Sequence, residues 1–114
     1  MNKKYIIQKN EEIKEIISKK NKMVTKIFIA YGTSNGYGYN RYCISVSKKI
    51  GKAVTRNLYK RRIKNILSKN NFKNSHDYVI IVRNSIKEVK FSEIEKEFIK
   101  YFKENKQWTK GFKK

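Results

Sequence analysis

The spacing of hydrophobic residues along the chain predicts short helices that alternate with strands. Apolar side chains three and four positions apart, such as Ile13, Ile16 and Ile17, are typical of a helix that buries one face. Alternating or continuous runs of β-branched and aromatic residues are typical of strands. In chain order the patterns predict a helix from Asn10 to about Lys19, strands over 24–31 and 41–47, a helix from about Ala53 to Ser68, a strand over 77–83 and a helix that starts near Ser92.

Polar residues and glycines predict where these elements begin and end. Asn10 can cap the first helix, and Ser92 with Glu95 forms the sequence of a capping box for the last one. The segment 32–40 holds three glycines and two asparagines, which predicts a hairpin loop. His76 is expected in the loop that precedes the strand over 77–83.

The element order α-β-β-α-β-α predicts an α+β fold, with a central mixed sheet packed by helices. Residues 1–114 are enough for one small domain, in which the tail 106–114 is expected to be frayed. The segment 77–83 is almost continuously apolar, as in a strand buried on both faces. The strand–helix–strand unit over 41–83 would be right-handed by the general rule.

The charge of the chain is large and unevenly distributed. Its 114 residues include 29 Lys and Arg against 9 Asp and Glu, which gives a formal net charge of +20. No acidic residue lies between Ile16 and His76. Such a field attracts polyanions, and neutralising their phosphates releases counterions, so nucleic acid is the expected partner. A lysine-rich surface that only confers solubility is the alternative.

Other chemistries find little support in the sequence. The chain has one cysteine and one histidine, and they lie on different predicted elements, so we expect no catalytic residue and no disulfide framework. The acids form no metal-binding cluster, so no metal or cofactor bound by the protein alone is expected. No apolar stretch approaches the roughly 18 residues that span a bilayer, no signal peptide is recognisable, and no membrane partner is expected. We therefore expect a cytoplasmic protein.

The densest candidate site covers residues 45–64, where basic residues follow a strand and continue along a helix. At about 100° per residue, Asn57, Lys60, Arg61 and Lys64 share one outward sector, which Arg56 borders. Arginine can bind phosphate through two parallel hydrogen bonds, and asparagine can read a base edge or a ribose hydroxyl. A solvated basic helix face is the alternative. The candidate RNA-binding residues are Lys48, Lys49, Lys52, Arg56, Asn57, Lys60, Arg61 and Lys64.

The strand over 41–47 presents small polar side chains on one face. Arg41, Cys43, Ser45 and Ser47 alternate with apolar residues, so they point away from the core. Small side chains let a base approach the sheet closely, as on many surfaces that bind single-stranded RNA. A plain solvent-exposed face is the alternative.

The run S-V-S-K-K-I-G-K-A-V-x-R-N-x-x-K-R over 45–61 resembles the signature of the bacterial ribonuclease P protein component. The segments KNEEI, IFIAY and DYVIIVR also fall where that family has matching segments. The resemblance implies a ribonucleoprotein that cuts the 5′ leader from precursor tRNA, with catalysis and magnesium ions in the RNA subunit. It implies that the protein binds this RNA through its arginine-rich helix and holds the leader between the sheet and the first helix. It also implies a left-handed strand–helix–strand crossover.

Carried over by position, Arg56 and Asn57 begin the Arg-Asn-Arg motif of the family, and Leu58 replaces the last arginine. Either Arg62 or Lys64 can compensate for the phosphate contact that Leu58 lacks. The resemblance assigns Ile13, Ile17 and Tyr31 to the leader, and Ser45 on the small polar face of the strand completes the candidate leader-binding residues. Ordinary core packing is the alternative for the two isoleucines, because stripes at helical spacing usually are core. A non-enzymatic RNA-binding module, such as a ribosomal protein, is the alternative function.

Overall fold

The computed structural model describes residues 2–70 and 75–104. The predicted tail over 106–114 lies outside these residues. The helices are α1 (Asn10–Ser18), α2 (Ala53–Asn70) and α3 (Phe91–Glu104), and the strands are β1 (Lys22–Val24), β2 (Phe28–Ser34), β3 (Arg41–Val46) and β4 (His76–Val82). Short 3-10 helices cover Lys3–Tyr5, Lys48–Ile50 and Asn84–Glu88.

The four strands form one mixed sheet in the order β1-β2-β4-β3. β3 and β4 are parallel, and the other pairs are antiparallel. This arrangement confirms the predicted α+β fold and the mixed sheet, with α2 in the connection between the parallel strands. β3 is an edge strand, and Ile6 forms an isolated parallel bridge with its Tyr42.

The prediction of one strand over 24–31 is wrong, because the chain reverses inside this segment. Val24 ends β1, and Phe28 begins β2, which pairs with it. The Thr25 hydroxyl accepts hydrogen bonds from the backbone N–H of Ile27 at 3.3 Å and of Phe28 at 3.0 Å. Threonine side chains that bond the backbone locally compete with strand pairing and favour turns. The predicted loop over 32–40 is also shorter, since β2 continues to Ser34.

Three predicted boundaries differ from the structure. Asn10 is the first residue of α1, and Lys9 precedes it without a side-chain cap. Ser92 is not an N-cap, because α3 already begins at Phe91. His76 lies in β4, where it is buried and pairs with Ser34 of β2. In each case the helix or strand includes a polar residue that was expected to lie just outside it.

The main core lies between one face of the sheet and the helices α2 and α3. Phe28 stacks on Phe98 with ring centroids 4.3 Å apart, and Tyr78 meets Phe102 edge-on at 4.8 Å. A second, smaller cluster on the opposite face packs α1 against β4. Both faces of β4 are therefore covered, which confirms the prediction from its apolar sequence. No helix in the described part of the chain is long and apolar enough to span a membrane.

Candidate nucleic-acid interface

The structure brings the predicted polar sector of α2 together on one surface. Asn57, Lys60, Arg61 and Lys64 line a shallow groove with Asn65 and Ser68. The opposite side of the helix carries Ile63, Ile66 and Leu67, which are buried in the main core. The core therefore fixes the rotation of α2, so the groove lies on the side of the helix that faces away from the core. We call this surface the α2 groove.

Arg56, which directly precedes Asn57 of the α2 groove, holds an unsatisfied hydrogen-bond donor. Its side-chain Nε is buried and finds no acceptor among the described residues. A buried donor without a partner costs about 1–3 kcal/mol.

Lys48, Lys49 and Lys52 lie exposed where the chain passes from β3 to α2. The Ser47 hydroxyl accepts a hydrogen bond from the backbone N–H of Lys49 at 3.0 Å, which starts the short 3-10 helix. Gly51 has a φ of 158°, which side-chain-bearing residues rarely adopt, and a Cβ there would lie only 3.1 Å from Thr55 Cβ, so the entry to α2 favours glycine. The three lysines thus stand beside the first turn of α2.

The described residues give the candidate cations no ion pair. The ion pairs of this part of the chain involve Lys19, Arg41 and Lys69, and the α2 groove contributes to none of them. The positive charge of the groove is therefore not neutralised within the described structure, and it is available to a polyanion.

Of the two candidates to compensate for Leu58, the geometry favours Lys64. Lys64 lines the α2 groove, whereas the Arg62 guanidinium lies 4.4 Å from the centroid of the Phe91 ring of α3. This cation–π contact holds Arg62 on the side of α2 that faces α3. A phosphate in the groove would therefore meet Lys64.

The candidate leader residues lie together, on the sheet face that α1 partly covers. Ile13 and Ile17 of α1 and Tyr31 of β2 are half-buried around Ile16 and Val79. The structure thus supports both interpretations of the two isoleucines, since they contribute to packing and keep part of their surface accessible.

Ser45 belongs to a row of residues that crosses the whole sheet beside this cluster. The strand register aligns Ser45 with Ile81, Ile81 with Ile29, and Ile29 with Val24. Ser45 is exposed, Val24 is 52% exposed, and the two isoleucines are half-buried. We call these four residues the open row. Ile29 and Ile81 were not among the sequence candidates, although Ile29 shares the face of Tyr31 by alternation.

Lys60 connects the α2 groove to this sheet face. Burial raises the pKa of the Cys43 thiol, and the positive charge of nearby Lys60 acts in the opposite direction. Cys43 lies two positions before Ser45, on the same face of β3, and is half-buried. Lys60 thus lines the α2 groove and also lies close enough to β3 for its charge to act on the Cys43 thiol.

We predict that a Lys60→Met variant slows alkylation of Cys43 at mildly alkaline pH. Methionine has a side chain of similar length, so the thiol stays equally buried, but it lacks the positive charge that lowers the pKa of Cys43. Less of the reactive thiolate therefore forms. The measurement is the rate of iodoacetamide labelling followed by mass spectrometry. A Lys64→Met variant, one helical turn further on, should label at the unaltered rate. Equal rates for all three proteins would contradict the proximity of Lys60 to Cys43.

Arg41 joins three parts of the molecule at the start of β3. Its Nε and one terminal nitrogen donate to the Asp77 carboxylate of β4, at 2.8 and 2.6 Å, and the same terminal nitrogen donates to Glu12 of α1 at 2.6 Å. Asn35 adds a hydrogen bond to Asp77 at 2.8 Å. Hydrogen bonding to Asp77 raises the pKa of Arg41 above its ordinary value. We call Arg41, Asp77 and Glu12 the Arg41 network.

The described residues do not offer a metal site. In residues 2–70 and 75–104, no three His, Cys, Asp or Glu side chains form a group that could hold a metal ion. Glu12 and Asp77, which lie beside this sheet face, are already bonded to Arg41.

Comparison with known proteins identifies the family. The Ribonuclease P family profile matches residues 1–106. The ribonuclease P protein component of Mycoplasma mycoides subsp. mycoides is 42% identical over 109 residues, which cover 93% of this chain and all of that protein. The corresponding protein of Streptococcus pneumoniae is 31% identical over 113 residues, covering 97% of this chain and 92% of that one.

Solved structures agree in fold. The ribonuclease P protein of Staphylococcus aureus superposes with a TM-score of 0.81 at 30% identity, over 90% of this chain and 96% of that one. The ribonuclease P protein of Thermotoga maritima, at 24% identity, has a TM-score of 0.77 over 85% of this chain and 94% of that one, and supports the fold alone. With matches over nearly its whole length, the chain belongs to the family of bacterial ribonuclease P protein components.

Proposed function

We propose that the chain acts as the protein subunit of ribonuclease P and promotes the removal of 5′ leaders from precursor tRNA. The RNA subunit performs the hydrolysis, and the protein binds this RNA and positions the substrate. The observation that carries the proposal is the α2 groove, a set of cations without carboxylate partners in the described chain, on a protein of this family.

The catalytic RNA is assigned to the α2 groove and to the lysines that precede it. Arg56, Lys60, Arg61 and Lys64 offer charge-assisted hydrogen bonds to phosphates, and Asn57 offers an amide that can read a ribose or base edge. Lys48, Lys49 and Lys52 extend this charge towards the end of β3. Phosphate contacts fix the orientation of the protein on the RNA without reading sequence.

The single-stranded leader is assigned to the sheet face beside α1. Tyr31 can stack on a base, whereas Ile13 and Ile17 provide apolar contacts without stacking. The open row adds Ile29 and Ile81, and the small side chain of Ser45 lets the backbone of the leader approach β3. Lys60 lines the α2 groove and its charge acts on Cys43 of β3, which favours neighbouring sites for the leader and the catalytic RNA.

The magnesium ions needed for hydrolysis are assigned mainly to the RNA. Glu12 and Asp77 are engaged by Arg41 and do not form a ligand set for magnesium, so no chemical step is assigned to a carboxylate of the described protein. The role of the protein is electrostatic and positional. Its place of action would be the cytoplasm.

Reconstitution with the cognate catalytic RNA tests the proposal. At low magnesium concentration, where phosphate repulsion is poorly screened, the protein should accelerate cleavage of precursor tRNA at the end of the leader. The protein without RNA should cleave nothing. An RNA that is not stimulated by the protein, or cleavage by RNA-free protein, would refute the proposed function.

A further inference from the structure

Three tyrosines and a lysine form a surface at the end of the sheet where β3 begins. The rings of Tyr37 and Tyr39 are stacked with centroids 5.7 Å apart, and Tyr5 meets Tyr39 edge-on at 5.4 Å. The Lys4 ammonium lies 4.8 Å from the ring centroid of Tyr39 and 5.1 Å from that of Tyr5. We call these four residues the tyrosine patch.

The tyrosine patch does not contribute to the core. Within the described residues, none of its rings belongs to either hydrophobic cluster, and Tyr37 is 53% exposed. Contiguous aromatic rings on a surface leave apolar area in water, and such patches are typical of binding sites. The arrangement therefore leaves aromatic surface available for a ligand.

The loop that carries Tyr37 and Tyr39 is fixed by its own hydrogen bonds. The Asn35 side chain accepts from the backbone N–H of Tyr37 at 2.8 Å and donates to the carbonyl of Tyr39 at 3.1 Å. The Ser75 hydroxyl accepts from the backbone N–H of Gly38 at 2.9 Å. The backbone that carries the two stacked rings is thus fixed before any ligand binds, which lowers the entropic cost of binding.

The tyrosine patch is aligned with the surface assigned to the leader. The Arg41 guanidinium lies 4.8 Å from the Tyr37 ring centroid, and Arg41, Cys43 and Ser45 follow one another on the same face of β3. A strand of this length spans roughly 20 Å. The patch and the lysines that follow β3 therefore lie at opposite ends of the strand, with Ser45 of the open row between them.

We propose that the tyrosine patch stacks unpaired bases of the precursor leader, beyond the nucleotides that contact the open row. This inference rests on the proposed function. Every base has a π face, so stacking on the tyrosines tolerates any leader sequence, and Lys4 supplies positive charge for the accompanying phosphates. The patch would thus favour substrates by the length of their leaders.

The test uses the reconstituted holoenzyme and two precursors of one tRNA, with leaders of one nucleotide and of about ten nucleotides, a length that one single-strand site can cover. A Tyr37→Leu, Tyr39→Leu double variant should bind the long-leader precursor about tenfold more weakly for each stacked base lost. Its affinity for the short-leader precursor should not change. The matched Tyr37→Phe, Tyr39→Phe variant keeps both rings and should behave as the unaltered protein on both substrates.

A second measurement separates this inference from the proposed function. The free protein is titrated with fluorescently labelled oligouridine, which needs neither the catalytic RNA nor tRNA. Weaker binding by the leucine pair but not by the phenylalanine pair supports the patch even if the holoenzyme does not form. Equal oligouridine binding by all three proteins, or equal losses on both precursors, overturns it. If the leucine pair instead abolishes self-association in sedimentation and leaves RNA binding unchanged, the patch is a protein contact and the inference is wrong.

Discussion

An Arg41→Met variant is expected to lose about 3 kcal/mol of the free energy of unfolding. The substitution leaves the Asp77 carboxylate, whose side chain is 9% exposed, without its cation in the interior of the fold. It also removes the contact that holds Glu12 of α1 against the sheet. Breaking a buried ion pair costs far more than the pair contributes, because the remaining charge is poorly solvated. Urea denaturation at neutral pH, followed by circular dichroism, measures the loss.

Two further variants show whether the loss arises from the buried charge. Lys69→Met removes the ion pair with Glu95, whose side chains are 64% and 30% exposed, and should cost less than about 1 kcal/mol. A combined Arg41→Met, Asp77→Leu variant should recover part of the stability, because no unpaired carboxylate then remains at position 77. Similar losses for Arg41→Met and Lys69→Met would show that the Arg41 network does not stabilise the fold.

Reversing the charge of Arg56 and Arg61 together is expected to abolish assembly with the catalytic RNA. Each hydrogen bond to a charged group contributes about 1.5–3 kcal/mol, so losing two such contacts weakens binding by at least a hundredfold. Repulsion between the new glutamates and the phosphates adds to this loss. Filter binding of the labelled RNA at several salt concentrations measures both the affinity and the slope of its logarithm against that of salt, and the slope should become less steep.

The matched control reverses Lys96 and Lys103, which are exposed on α3 and produce the same change of net charge. This variant should bind the RNA nearly as well as the unaltered protein. If both double variants lose affinity equally, net charge explains the binding and the α2 groove is not a specific site. Unaltered assembly by the Arg56→Glu, Arg61→Glu variant would reject the groove outright.

Sequence periodicity was sufficient to predict the surfaces that single elements present. The rotation of α2 follows from the helical spacing of its apolar residues, and the burial of β4 follows from its unbroken apolar run. The side of β3 that holds Ser45 follows from alternation. Each of these predictions depends only on geometry within one helix or strand, and the structure places the residues accordingly.

Features that depend on contacts between distant segments could not be predicted in this way. Arg41 meets Glu12 and Asp77, which lie 29 and 36 positions away in the chain. Ile81 contributes to the open row only because β4 inserts between β2 and β3. The reversal at Thr25 was missed for a local reason, since one side chain bonds the backbone within a run of strand-forming residues.

The bridge between Ile6 and Tyr42 has a consequence for how the protein behaves in concentrated solution. An unprotected outer strand offers free N–H and C=O groups on which another chain can add, and this is a common start of aggregation. Here the N-terminal segment covers part of the free edge of β3. Ile6 forms a bridge with Tyr42, and the Ile7 backbone N–H donates to the Tyr42 carbonyl at 2.9 Å. Truncations or fusions that displace these residues would expose the unpaired edge of β3 and promote aggregation, independently of any effect on RNA binding.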